Sequence, residues 1–303
     1  MKLPRLSTFP LQKPFERVEL TTPLSEVALR LVVNCYTDAA FVIGTATVIC
    51  GNLLLTAKHV LDEVWDKPPA EASPTVVNKH LAAIQLLPGP EYIIWDVVDG
   101  VAGPIADIAL LRLGTNPRKS NPEKPHVWRQ PQLNPFAPDI GERLVAFGYR
   151  NSTIQVSKNL QGGPHIELND EPITSVGIVR EIYEMRRDQL LPFPCYQVSA
   201  RFDRGMSGGP VYDETGCLCG LVCSNVDGSH LDGEPVSYVT TLWPMFRSII
   251  SMDRGDAYPR GIRYPAIELA RGGQIFVPDL PRLERWIAER IGPPPASSKG
   301  TTP

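Results

Sequence analysis

Short apolar runs separated by Gly, Pro and Asn dominate the chain, and few of them carry the 3.6-residue rhythm of a helix. The first, VALRLVVNCY from Val27 to Tyr36, is rich in β-branched residues and predicts a strand. FVIGTATVIC (41–50) and NLLLTAKHVL (52–61) follow with Cys50-Gly51-Asn52 between them; Gly and Asn tolerate a tight reversal, so a hairpin is predicted. Further strands are predicted at 82–87, 91–98 and 107–113. Six prolines between residues 113 and 142 mark a connector, not an element. The strand rhythm then resumes at 143–150, 174–184, 195–202, 210–214, 217–225 and 235–243. A 3.6-like pattern predicts a helix near 243–252. A second is predicted at 280–291, where Leu280, Leu283, Ile287 and Ile291 form one stripe and Asp279 can cap the N-terminus.

Two runs of short strands around a Pro-rich connector predict an all-β chain built of two small barrels packed together. The expected organisation is an N-terminal arm over 1–24, a first barrel over 25–117, a linker over 118–140 and a second barrel over 141–252. A C-terminal extension over 253–303 follows, ending in GPPPASSKGTTP, a composition expected to be disordered.

Composition narrows the function classes. With 303 residues, 43% hydrophobic and 21% charged, the chain has ordinary globular values. Thirty Lys and Arg against 33 Asp and Glu leave a net charge of −3, which argues against a nucleic-acid partner held by phosphate attraction. The N-terminal stretch MKLPRLSTFPLQKPFERVEL is broken by Pro4, Pro10 and Pro14 and lacks the apolar core of a secretory leader. No run approaches the roughly 18 apolar residues of a membrane span. A soluble, cytoplasmic protein with no membrane partner is expected, its six cysteines reduced and no disulfide framework.

Three segments carry chemistry. Arg204-Gly205-Met206-Ser207-Gly208-Gly209-Pro210 is a small-residue turn before a strand, where glycines let successive N–H groups converge on one point beside a hydroxyl. Gly and Ser also make ordinary turns. A serine needs a base to become a nucleophile, and histidine is the usual one. His59 ends an apolar run in a small-residue step, while His80, His126, His165 and His230 stand in polar surroundings and read as surface residues. A histidine on an apolar segment can equally be a satisfied core residue. Asp107 heads the apolar run ADIALLRL, a position suited to orienting an imidazole and also to a plain strand start. The order His, Asp, Ser, with Ser in the second half, is the order expected of two barrels sharing one cleft.

The segments GTATVICGNLLLTAKHVL, ADIALLRL and RGMSGGPVYDETGCLCGLVCSN resemble those of chymotrypsin-like serine proteases of the trypsin fold (PA clan), closest to the bacterial Deg/Htr-type and glutamyl-endopeptidase-like branch. The resemblance covers about residues 25–245. It implies an all-β fold of two packed six-stranded antiparallel β-barrels with the site between them. His59 would be general base and acid, Asp107 its orienting partner and Ser207 the nucleophile, with the N–H groups of Gly205 and Ser207 as the oxyanion hole. Cys223, Ser224 and Asn225 would flank the substrate pocket. Arg201 would lie near its base, favouring an acidic side chain if it points inward and leaving room for a medium apolar one if it points out. Three departures stand out. Met206 replaces the Asp that pairs with a newly cut N-terminus in digestive relatives, so that activation route is absent. Val60 replaces a Cys, and Lys58 a small residue.

Cys217, Cys219 and Cys223 lie at period two with Cys195 elsewhere, but their spacing does not match a zinc knuckle, so no metal and no cofactor is expected. The reading from sequence is a serine endopeptidase working through an acyl-enzyme on protein or peptide substrates. This reading includes activation by a regulatory protein partner. The alternative is a catalytically silent peptide-binding or scaffolding module on the same fold.

Overall fold

In the computed structural model, which describes residues 14–19, 25–62, 64, 80–87, 91–103, 105–123, 129–158, 164–231, 234–251, 262–290, 292 and 298–299, the apolar runs close into two rings of strands. A short strand β1 (Phe15–Arg17) precedes them. The first ring uses β2 (Ala28–Val33), β3 (Phe41–Cys50), β4 (Leu53–Thr56), β5 (Leu81–Leu86), β6 (Tyr92–Ala102) and β7 (Ala109–Leu113). They pair in the order β5-β2-β3-β4-β7-β6, and β5 pairs with β6 to shut the barrel, while β8 (Arg118–Lys119) adds to the edge of β6. Closure removes the unpaired edges that an open sheet would expose.

The second ring uses β9 (Arg143–Lys158), β10 (Pro164–Tyr183), β11 (Cys195–Val198), β12 (Pro210–Tyr212), β13 (Leu218–Leu231) and β14 (Glu234–Thr241). Their order is β10-β11-β14-β13-β12-β9, closed by the pairing of β9 with β10. All these pairings are antiparallel, so the expected double barrel is what the chain forms.

Every residue of β2 is buried, although a strand with one wet face should alternate. The cause lies in the second barrel. Strands β9 and β10 run on beyond their ring as a two-stranded ribbon, and a bulge between Asn169 and Glu171 bends it against the first barrel. Leu29, Leu31 and Val33 point into their own barrel. Val32 faces the other way, in a cluster with Ala82 and Ile84 against which Ile154, Ile166 and Leu168 of the ribbon pack. Arg30, fully buried, pairs with Asp170 at the bulge and stacks 3.4 Å from the centroid of Tyr149.

Several predicted boundaries move. The ribbon was not predicted, because residues 151–173 are largely polar and carry no apolar run. The segment 52–61 is not one strand: β4 ends at Thr56, and Lys58–Leu61 is a 3₁₀ turn. The predicted helix near 243–252 is a 3₁₀ turn, Trp243–Arg247, followed by strand β15 (Ile249–Ser251). Its bonds are i to i+3, from the Met245 N–H to the Leu242 carbonyl and from the Ser248 N–H to the Met245 carbonyl, and Ser248 is extended. Strand β16 (Ile262–Pro265) and helix α1 (Ala266–Arg271) were not foreseen.

The second predicted helix is α2 (Leu280–Arg290), and the Arg282 N–H donates to Asp279 Oδ1 at 3.1 Å, the expected cap. Leu283 and Ile287 are buried in the core shared with the first barrel, and Phe136 of the connector packs edge-on against Trp286 at 5.3 Å. The extension therefore docks on its own barrels. The stretches at 1–13, 20–24 and 293–297, His126, and most of GPPPASSKGTTP lie outside the described residues. No helix among the described residues is long and apolar enough to cross a membrane.

Candidate active site

The turn that carries Ser207 is shaped first by its own backbone. The Met206 N–H donates to the Asp203 carbonyl at 3.1 Å, and Gly205 between them has φ +95°. A side chain there would be strained and would meet the Tyr149 carbonyl at 2.6 Å. Gly208, at φ +82°, has still less room: an added Cβ would lie 2.1 Å from the Thr45 carbonyl. Gly208 thus lets the two barrels approach to backbone contact, and Gly205 lets the turn lie against β9 of its own barrel.

Strand β3 of the first barrel holds this turn. The Thr45 N–H donates to the Ser207 carbonyl at 3.0 Å, the Thr45 hydroxyl to the Gly205 carbonyl at 2.9 Å, and the Thr47 hydroxyl to the Gly208 carbonyl at 3.0 Å. Each such bond contributes about 1 kcal/mol net. Gly208 and Gly209 donate their N–H groups to the Val222 and Met206 carbonyls. Among the described residues, the N–H groups of Gly205 and Ser207 have no protein acceptor, so two donors remain beside the serine hydroxyl. Thr45 and Thr47 lie inside the quoted GTAT segment, but nothing local in sequence revealed that their hydroxyls cross to the other barrel.

His59 sits on the 3₁₀ turn Lys58–Leu61 after β4, and Asp107 in the turn two residues before β7, not on the strand itself. Because β4 pairs with β7, with Thr56 opposite Ala109, the two turns are neighbours. His59 Nδ1 lies 2.7 Å from Asp107 Oδ2, and the His59 backbone N–H donates to Oδ1 at 2.9 Å. The imidazole is 43% exposed and the carboxylate 7%.

Burial by itself lowers the imidazole pKa, but the hydrogen bond and charge of Asp107, with a smaller contribution from Asp62, outweigh it and hold His59 above its ordinary value. Asp107 shows the mirror image. Burial raises its pKa, and the bonds from His59 together with one from Cys223 hold it below the usual carboxylate value.

That last donor is a residue with an unforeseen role. The Cys223 thiol donates to Asp107 Oδ2 at 3.1 Å, and burial followed by the carboxylate's charge pushes the thiol pKa well above its ordinary value. The Cys223 carbonyl in turn accepts the Ser207 hydroxyl at 3.2 Å. In this state Ser207 is bonded to the second barrel, with no hydrogen bond to His59. Both line one cleft of about 530 Å³ that also includes Phe41 and Ile43 of β3, Asn151 and Ser152 of the bulged ribbon, and Arg204.

The remaining candidates fall as follows. Arg201 is 55% exposed, bonded to Asp203 at 2.8 Å, and does not line that cleft. Ser224 is half-buried in β13, while Asn225 pairs with Ser237 and its side chain lies outside the described residues. Among the described residues no three thiols form a metal-ligand group: Cys219 donates to the Val211 carbonyl, Cys217 Sγ lies 4.0 Å from Gln132 Oε1, and Cys223, which packs with Cys195, donates to Asp107. Among the described residues, the potential metal ligands that come together as a group of three are His59, Asp107 and Cys223, whose protons are already shared. His80 and His165 are exposed.

Comparison with known proteins adds the family. Residues 40–221 match the trypsin-like peptidase domain. No curated protein matches the chain. Solved structures to which the chain is similar include the Rv3671c protease of M. tuberculosis H37Rv in its inactive form, at 18% identity over 72% of this chain and 84% of that one, TM-score 0.40. The MamO protease domain from Magnetospirillum magneticum is 15% identical over 72% of this chain and 93% of that one, TM-score 0.43. The HtrA-type protease AlgW, solved with a tripeptide, is 16% identical over 71% of this chain and 57% of that one, TM-score 0.40.

Proposed function

The chain belongs to the trypsin-like peptidase family, a family of serine proteases, and from that premise we propose that it is a serine endopeptidase with Ser207 as nucleophile, His59 as general base and acid, and Asp107 as the group that orients His59. The observation that carries the proposal is the pair of close contacts between Asp107 and His59, facing the cleft that also holds the Ser207 hydroxyl. A silent scaffold has no physical need to keep a buried carboxylate bonded to a half-exposed imidazole.

The reaction begins when a substrate amide N–H takes the Cys223 carbonyl and the Ser207 hydroxyl turns to His59 Nε2. Oγ attacks the carbonyl carbon as its proton passes to His59, and the new oxyanion lies against the N–H groups of Gly205 and Ser207. Each of those donors stabilises it by about 3–4 kcal/mol in the transition state. Asp107 stabilises the imidazolium and fixes the proton on Nδ1. His59 then protonates the leaving amine and the C–N bond breaks. Water then attacks the acyl carbon as His59 takes its proton, and the ester bond breaks as His59 passes that proton to Ser207 Oγ, releasing the acid product.

The substrate is a peptide or protein segment. With Arg201 held by Asp203 outside the cleft, the reading of the specificity pocket is the medium apolar one. The hydroxyl's bond to the Cys223 carbonyl supports a reading in which a substrate, or a regulatory partner, releases it for attack. Ser207→Ala should abolish both peptide cleavage and fluorophosphonate labelling while the fold persists. Activity surviving in that variant would overturn the assignment.

A further inference from the structure

Asp203 opens the turn that aims the two free N–H groups, and it is unusually well held. Its carbonyl accepts the Met206 N–H, and its own N–H lies 3.3 Å from Met206 Sδ. Its carboxylate takes Arg150 Nη1 at 2.9 Å on one oxygen and Arg201 Nε at 2.8 Å on the other. Arg150 comes from β9, where its Nε also reaches Glu171 at 2.6 Å. The carboxylate thus ties the turn to the barrel wall.

Both guanidinium groups then meet one further side chain. Phe15, on β1, has its ring centroid 4.6 Å from the Arg201 guanidinium carbon and 5.3 Å from that of Arg150. β1 is held independently, pairing antiparallel with β10 from Phe15 opposite Ser175 to Arg17 opposite Ile173. Its flanks are tied as well, by the Val176 N–H to the Pro14 carbonyl at 2.7 Å and the Val18 N–H to the Pro172 carbonyl at 2.9 Å. Phe15 also packs on the core cluster that contains Phe202 and Met206, the residues on either side of Asp203 and Gly205. A stretch more than 180 residues upstream therefore covers the clamp beneath the nucleophile turn.

We propose that Phe15 is a positioning residue for the oxyanion donors: its ring holds Arg150 and Arg201 closed on Asp203, so docking of the N-terminal strand on β10 keeps the Gly205–Ser207 turn in its reactive shape. The proposal rests on the serine-peptidase reading for its catalytic consequence, and on geometry alone for the order of the turn. Met206 stands in the middle of that turn where no carboxylate is available to receive a chain terminus, and the half-buried charge that steadies the turn is Asp203 instead. The guanidinium groups face Glu171 and Asp203 as well as the ring, so removing the ring loosens the clamp without leaving a charge unpaired.

The test uses the full chain with Phe15→Ala, Phe15→Leu and Phe15→Tyr. Two readouts are taken: amide hydrogen exchange at Met206, Ser207 and Gly208, and kcat and KM on a peptide substrate. Phe15→Ala should speed exchange in the turn and lower kcat by about ten-fold, the scale of one cation–π contact, with KM changed less than about two-fold. Phe15→Leu, which keeps apolar bulk without a π face, should behave like the alanine variant, and Phe15→Tyr should match the parent. Unchanged exchange in Phe15→Ala, or a leucine variant equal to the parent, would overturn the proposal. A parent that neither cleaves nor labels would instead sink the peptidase reading, and the exchange result would still decide the role of Phe15.

Discussion

Asp107 holds His59 twice, through Oδ2 at 2.7 Å from Nδ1 and through Oδ1, which accepts the histidine's own backbone N–H at 2.9 Å. One carboxylate thereby sets the ring's orientation and the position of the turn that carries it. Local sequence could suggest the ring contact. The backbone contact needs the pairing of β4 with β7.

The first prediction concerns pH. In the proposed reaction His59 must be neutral to accept the Ser207 proton, and its pKa is held above the ordinary 6.5 by Asp107 against the opposing effect of burial. Activity should therefore be absent at low pH and appear as pH rises through a midpoint above 6.5. Asp107→Asn removes the stabilising charge and selects the wrong imidazole tautomer. Its kcat should fall by up to about 10⁴-fold, with the acid limb moving to lower pH. A pH–rate profile checks both, and an acid limb unmoved by the substitution would contradict the proposed pairing.

The second concerns Cys223, whose thiol donates to the same Asp107 oxygen. Cys223→Ser keeps a donor and should retain kcat within about three-fold, whereas Cys223→Ala removes a bond to a charged acceptor worth about 1.5–3 kcal/mol and should lower kcat about ten-fold. Losing that donor leaves more negative charge facing the imidazole, so the acid limb in Cys223→Ala should shift upward. Alanine and serine variants with the same profile would show that the thiol contact does not matter to the site.

The third concerns the joint between barrels. Arg30 is fully buried on β2, and Asp170 at the ribbon bulge is its partner. Asp170→Ala strands a guanidinium in the interior and should cost about 3–5 kcal/mol in urea denaturation. Arg30→Met combined with Asp170→Leu removes both charges and should recover most of that loss. A double variant no better than the single one would mean that packing of the ribbon, not the charge, dominates.

Much of the fold was legible. Strands β3, β11 and β12 begin where the apolar runs do, because β-branched runs bounded by Gly and Pro state their own conformation. Helix α2 was legible for the analogous reason, a stripe at helical spacing behind a capping Asp279. The β9–β10 ribbon was not. Its described residues, 151–158 and 164–170, are mostly polar, and they are held by strand pairing and by the few apolar contacts they make on the first barrel.

The candidate site divides along the same line. Sequence by itself determined which chemical groups are present, since an imidazole, a carboxylate and a hydroxyl beside glycines are residue types, and a glycine that must adopt φ near +90° announces itself by identity. Tertiary structure decided everything that depends on distance between remote segments. It laid the Cys223 thiol on Asp107, tied Thr45 and Thr47 to the Ser207 turn and brought Phe15 over the arginine pair. Those contacts follow from strand register and barrel closure, which are set jointly by pairings far apart in the chain, so no window of sequence contains them.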